Sequence, residues 1–182
     1  MEYLNYIDGQ MLLWIQDNLR NDFLTPIFKF ITHLGDVGAI WIGCTILLLI
    51  FAKYRKVGLL SAFALIGSLL INNLILKNLI ARVRPYEAVE GLTRLIEAQS
   101  DYSFPSGHAG ASFAAAVIFF LYLPKKFGVP ALVLAFLISF SRLYVGVHYI
   151  TDVLAGGLIS AAIAVCIWKV DEHIQKKKAE KE

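Results

Sequence analysis

The chain is short of charge and of sulfur. Only 17% of its 182 residues are charged, while 58% are hydrophobic; soluble domains run nearer a quarter charged and about half apolar. The apolar excess sits in long runs, which excludes an ordinary water-soluble core. There are two cysteines, Cys44 and Cys166, each inside an apolar run and without pairing or metal-ligand spacing. That excludes a disulfide scaffold, and both are expected as small buried side chains. No Asp, Glu or His group has divalent-metal spacing, so no metal or other cofactor is expected. Met1–Arg20 lacks a basic start followed by an apolar core, so no secretory leader is expected there. A net charge of +3 is modest, and no nucleic-acid partner is expected.

What is present is the pattern of a polytopic membrane protein, all-α, in a single domain over 1–182. A span needs about 20 mostly apolar residues. Five candidate spans are expected, at Val37–Ala52, Val57–Ile80, Gly107–Leu123, Val129–Val147 and Ile150–Trp168. Ahead of this core (37–168), residues 1–34 read as interfacial amphipathic helices. Leu4, Ile7, Met11, Trp14, Ile15 and Leu19 fall at helical spacing among Asp8, Gln10, Asp17 and Asn18, and Phe23–Leu34 makes a second short amphipathic piece. Residues 169–182 form a charged tail.

Alternate connectors lie on opposite sides of a bilayer. One side holds Lys53, Arg55, Lys56, Lys125, Lys126, Lys169, Lys176, Lys177, Lys178 and Lys181, ten of the 17 basic residues, and the other side holds the remaining seven. Basic loops stay in the cytoplasm. The expected location is therefore the plasma membrane, with the C-terminus cytoplasmic and the opposite face extracellular or periplasmic.

Three polar clusters fall at span ends on that outer face. They are Lys77 with Arg84-Pro85, then Pro105-Ser106-Gly107-His108, then Ser141-Arg142 with His148 and Asp152. Each alone has an ordinary reading: snorkelling cations, a helix N-cap, an interfacial histidine, an i, i+4 pair. Together they change the balance, because ionisable groups within membrane helices cost about 2.5–3.5 kcal/mol each and mark function. Lys77, Arg84 and Arg142 with two histidines describe a site for a multiply charged anion. Phosphate fits, clamped by charge-assisted bonds and by N–H groups at the helix start around Ser106 and Gly107. Lys77 and Arg84 are two helical turns apart and share a face if the helix persists. Asp152, one turn after His148, is placed to orient that imidazole for attack on phosphorus. His108, without an acidic partner in its own cluster, suits a general acid.

The spacing Lys-x6-Arg-Pro, Pro-Ser-Gly-His, Ser-Arg-x5-His-x3-Asp resembles the three-part signature of the type 2 phosphatidic acid phosphatase (lipid phosphate phosphatase) superfamily. All three parts stand in order between Lys77 and Asp152. The resemblance implies a phosphohistidine on His148, His108 as the acid and Asp152 as the orienting carboxylate. Lys77, Arg84, Ser106, Gly107 and Arg142 become the phosphate pocket. It implies a metal-independent hydrolase acting on a lipid phosphate such as undecaprenyl diphosphate, phosphatidylglycerophosphate or phosphatidic acid. The alternatives are a sugar-phosphate phosphatase in the membrane and a non-catalytic lipid-phosphate binder or transporter.

Overall fold

The computed structural model describes residues 2–180. Among the described residues there are helices, turns and coil, and no strand. In chain order the helices are α1 (Glu2–Leu19), α2 (Leu24–Leu34), α3 (Ala39–Ile50), α4 (Arg55–Ser68), α5 (Lys77–Ile80), α6 (Pro85–Ala88), α7 (Gly107–Tyr122), α8 (Lys125–Tyr144) and α9 (Ile150–Ala179). A π-helical stretch, Leu69–Leu76, joins α4 to α5. Lys181 of the basic tail and the side chain of Leu4 lie outside the described residues.

The bundle is built around α7, which packs against α9, α8 and α4. Its small residues explain why. Ala109, Ala114, Ala115 and Ala116 have no exposed surface, and without large side chains the neighbouring backbones come close. Gly156 of α9 shows how close, since a Cβ there would lie 2.4 Å from the Ser106 carbonyl oxygen. Large apolar side chains such as Phe63, Leu74, Phe136 and Leu158 point outward and are more than half exposed, the arrangement expected where lipid is the solvent.

Among the described residues, three segments are long and apolar enough to cross a membrane: Ala52–Ala88, Lys125–Tyr144 and Ile150–Ala179. Leu24–Leu34 and Asp36–Ile50, bent by 47°, pass the same test as a pair and make a fourth. This differs from the five spans expected from hydropathy. α7 has 16 residues, about 24 Å of helix, less than the hydrocarbon thickness of about 30 Å. The amphipathic segment α2 is not isolated at the surface. It packs along α8 and is the first half of the bent pair.

The cysteines correct another expectation. Cys44 and Cys166 are both exposed, on the outward faces of α3 and α9. At one end of the bundle, Asp171 of α9 accepts from Lys56 Nζ (2.7 Å) and Tyr122 Oη (2.6 Å), so the basic connectors gather there. The three polar clusters gather at the other end.

Candidate active site

Lys77, Arg84 and Arg142 are 5%, 3% and 1% exposed, and His148 is 2% exposed. The structure brings them together by four different local devices. Lys77 follows the π-helical stretch, whose extra residue per turn resets the helix face. The helix then stops at Ile80, where Ala81 takes φ 49°. Lys77 and Arg84 therefore do not share a face of one helix. Arg84 reaches the site from the extended segment beyond the break. Arg142 sits in the last turn of α8, donating from Nη1 to Thr32 Oγ1 (2.7 Å) and from Nη2 to Gln99 Oε1 (3.4 Å). Its Nε has no protein partner.

His148 stands in the tight turn between α8 and α9, where Gly146 holds φ 76°. A side chain at Gly146 would collide with the Thr93 carbonyl at 2.6 Å. Arg84 donates from Nη1 to His148 Nε2 (3.0 Å) and to the Val147 carbonyl (2.7 Å). On the other side of the ring, Nδ1 lies 3.5 Å from Asp152 Oδ2, longer than a hydrogen bond. Asp152 has closer partners. As the third residue of α9 it accepts from the backbone N–H of Tyr149 (2.9 Å), closing a capping box. Ser103 Oγ donates to the same oxygen, and Arg82 Nη1 donates to Oδ1 (2.5 Å). Arg82 also donates to Asp8 (2.9 Å) and stacks on the Tyr149 ring at 3.7 Å, so α1 is docked through it onto the carboxylate behind His148.

Ser106 is fully buried and acts as N-cap of α7, its Oγ accepting from Ala109 N at 3.5 Å. It is not among the residues that line the cavity, whereas Gly107 and His108 are. His108 has an acidic partner after all: its Nε2 is 3.0 Å from Asp36 Oδ1.

Asp101 belongs to the long connection between α6 and α7. Here its carboxylate bridges the two cations, with Oδ2 2.6 Å from Lys77 Nζ and Oδ1 accepting from Arg84 Nη2. Burial pushes this carboxyl up, but the hydrogen bonds and charges of Lys77 and Arg84 outweigh that and hold it below its usual range. For His148, burial and then the charges of Arg84, Arg142, Lys77 and His108 hold imidazole protonation well below its usual value. Asp36, Asp101, Thr32 and Gln99 lie outside the three clusters, and Arg82 lies inside the first without a role that its spacing assigns. The only sequence signal was Arg82 and its position between Lys77 and Arg84.

A cavity of about 520 Å³ starts at Lys77, Arg84, Asp101, His108, Arg142 and His148 and continues between α3 and α4. Its far walls are Ile42, Ile46 and Leu49 on one side and Ala62, Leu65 and Ile66 on the other. A second cavity, about 510 Å³, meets the first at Asn73, Lys77, Arg84, Gln99 and Asp101, and is lined beyond them by Asn78, Arg82, Glu87 and Ser100. The site thus joins an apolar chamber to a polar one. Among the described residues, no group of three His, Cys, Asp or Glu side chains is arranged to hold a metal ion.

A model of the PAP2 superfamily matches residues 57–176, from α4 into α9, leaving α1–α3 and Asp36 before it. An undecaprenyl-diphosphatase of Sulfolobus acidocaldarius is 34% identical over 157 residues, covering 86% of this chain and 75% of its own. Phosphatidylglycerophosphatase B of Bacillus subtilis is 32% identical over 170 residues, covering 87% and 80%. Among solved structures, the transmembrane PAP2 type phosphatidylglycerolphosphate phosphatase from Bacillus subtilis is similar with a TM-score of 0.77 at 28% identity, over 96% of this chain and 89% of that one. LpxE from Aquifex aeolicus gives 0.78 at 26% identity, over 88% and 93%.

Proposed function

The chain belongs to the PAP2 superfamily, and from that premise we propose that it hydrolyses the phosphate ester or diphosphate of a long-chain lipid through a phosphohistidine on His148. It is a membrane-embedded phosphatase. The finer reading rests on one observation: the cavity that begins at the cations ends between apolar faces of α3 and α4. A phosphate at Lys77, Arg84 and Arg142 has its organic part directed along Ile42, Ile46, Leu65 and Ile66. A lipid tail satisfies that groove and a sugar does not. Undecaprenyl diphosphate, phosphatidylglycerophosphate and phosphatidic acid all have this form.

The residues then divide the work. Lys77, Arg84 and Arg142 stabilise the equatorial oxygens, with backbone N–H groups at the start of α7. His148 Nε2 forms the bond to phosphorus while the bond to the leaving oxygen breaks, and His108 gives that oxygen a proton. Water then attacks the phosphohistidine, the P–N bond breaks, and His108 recovers a proton from the water. Asp152 stabilises the charge that develops on the His148 ring. The site opens on the outer face of the plasma membrane, a placement supported by the ten basic residues assigned to the opposite side.

A substrate panel tests the reading. Purified protein should show a higher kcat/KM for the lipid phosphates than for a soluble sugar phosphate. Ile46→Trp, which fills the groove, should reduce kcat/KM for long-chain lipids more than for short-chain analogues. Equal use of the sugar phosphate, with no chain-length effect of Ile46→Trp, would overturn it.

A further inference from the structure

Asp36 stands in the break between α2 and α3, remote in sequence from the three clusters. Its carboxylate bridges two histidines, with Oδ1 3.0 Å from His108 Nε2 and Oδ2 2.7 Å from His33 Nδ1. The residues beside it are shaped for that contact. A Cβ at Gly35 would lie 2.6 Å from Cδ2 of the His108 ring and 2.7 Å from Ile138, so only glycine lets the backbone pass so close. Val37 takes φ 54°, a conformation that β-branched residues rarely adopt. Val37 is 92% exposed, so little packing of its own compensates the strain. Strain held in place by its surroundings is characteristic of functional sites. Here it aims Asp36 back at the end of the bundle that carries the reaction.

We propose that Asp36 is the positioning residue of His108, in the role that Asp152 has toward His148. It accepts the Nε2–H of His108 and so leaves Nδ1 as the nitrogen that serves the leaving group. It also stabilises the imidazolium from which the leaving oxygen takes its proton. In the first step that proton moves from Nδ1 to the departing oxygen as the P–O bond breaks. In the second, Nδ1 takes a proton from the attacking water as the P–N bond breaks. Asp36 keeps its charge throughout and exchanges no proton. His33, whose side chain is 60% exposed, holds the second carboxylate oxygen from outside the cavity. The inference rests on the reading of His108 as the acid.

The test is the dependence on leaving group, measured with a lipid phosphate and with p-nitrophenyl phosphate, whose phenolate departs without much help from an acid. Asp36→Asn should lower kcat on the lipid phosphate by about 10–10²-fold, with KM little changed, and by less than about threefold on the aryl phosphate. Asp36→Glu should restore part of the loss. In a His108→Ala background, Asp36→Asn should cost nothing further, because the two residues act as one unit. An equal loss on both substrates, no loss on either, or a full additional loss in the double variant would overturn the inference. If His108→Ala alone shows no dependence on leaving group, the reading of His108 as the acid falls first. That result is distinct from a failure of Asp36→Asn beside an acid-like His108→Ala.

Discussion

Arg84 donates from Nη1 to Nε2 of His148 across 3.0 Å. A guanidinium has no acceptor, so Nε2 carries the lone pair and the ring proton of the neutral form lies on Nδ1, toward Asp152. The tautomer that the proposed attack by Nε2 requires thus follows from the arginine. An oxyanion that takes up the Arg84 guanidinium leaves that lone pair available to phosphorus.

The histidines should respond differently to the leaving group. His148→Ala should be inactive on lipid phosphate and aryl phosphate alike. His108→Ala should lose about 10²–10⁴-fold on the lipid phosphate and much less on p-nitrophenyl phosphate. Asp152→Asn should be impaired on both, since the His148 ring serves attack whatever departs. Steady-state rates on the two substrates check this, and rescue of His148→Ala by the aryl phosphate would exchange the roles.

The acid limb of activity should lie low. Burial and four nearby cationic or histidine groups disfavour a positive charge on His148, so its lone pair stays available below pH 6.5. As pH falls, kcat/KM corrected for substrate ionisation should hold past that point before declining. Arg84→Gln, besides slowing the reaction, removes one of the opposing charges and should move the limb upward. A wild-type limb above 6.5 would contradict the assignment.

Asp101 competes with any anion for Lys77 and Arg84, because its carboxylate already bridges them. Asp101→Asn keeps the shape and removes the charge. Inhibition by inorganic phosphate and by orthovanadate should become several-fold tighter. Weaker inhibition would mean that Asp101 holds the cations in place for the substrate rather than competing with it.

Charge stabilisation at this site is assigned to side chains, so hydrolysis should persist in excess chelator. A complete loss with EDTA that Mg²⁺ restores would contradict the proposed chemistry.

Sidedness can be read with thiols. In a background lacking Cys44 and Cys166, both exposed in the structure, a cysteine replacing Glu90 should react with an impermeant reagent in intact cells. A cysteine replacing Lys178 should not. The reverse pattern would invert the topology.

Hydropathy and spacing alone determined that this is a helical membrane protein with its ionisable residues clustered at one end, since long apolar runs leave few other solutions. That His108, His148, Asp152 and the three cations gather at one end was legible, because residue types and intervals set which span ends carry them. Only the tertiary structure decided what each one touches. Arg84 joins Lys77 through a helix break at Ala81 and not through helical periodicity. Asp152 is satisfied first by Ser103, Arg82 and its own helix cap. His108 finds its carboxylate in Asp36, 72 residues away. The span count depended on a bend between α2 and α3 and on a short, buried α7. These are long-range contacts, set by how backbones with small residues pack in lipid, and a local pattern of residues does not encode them.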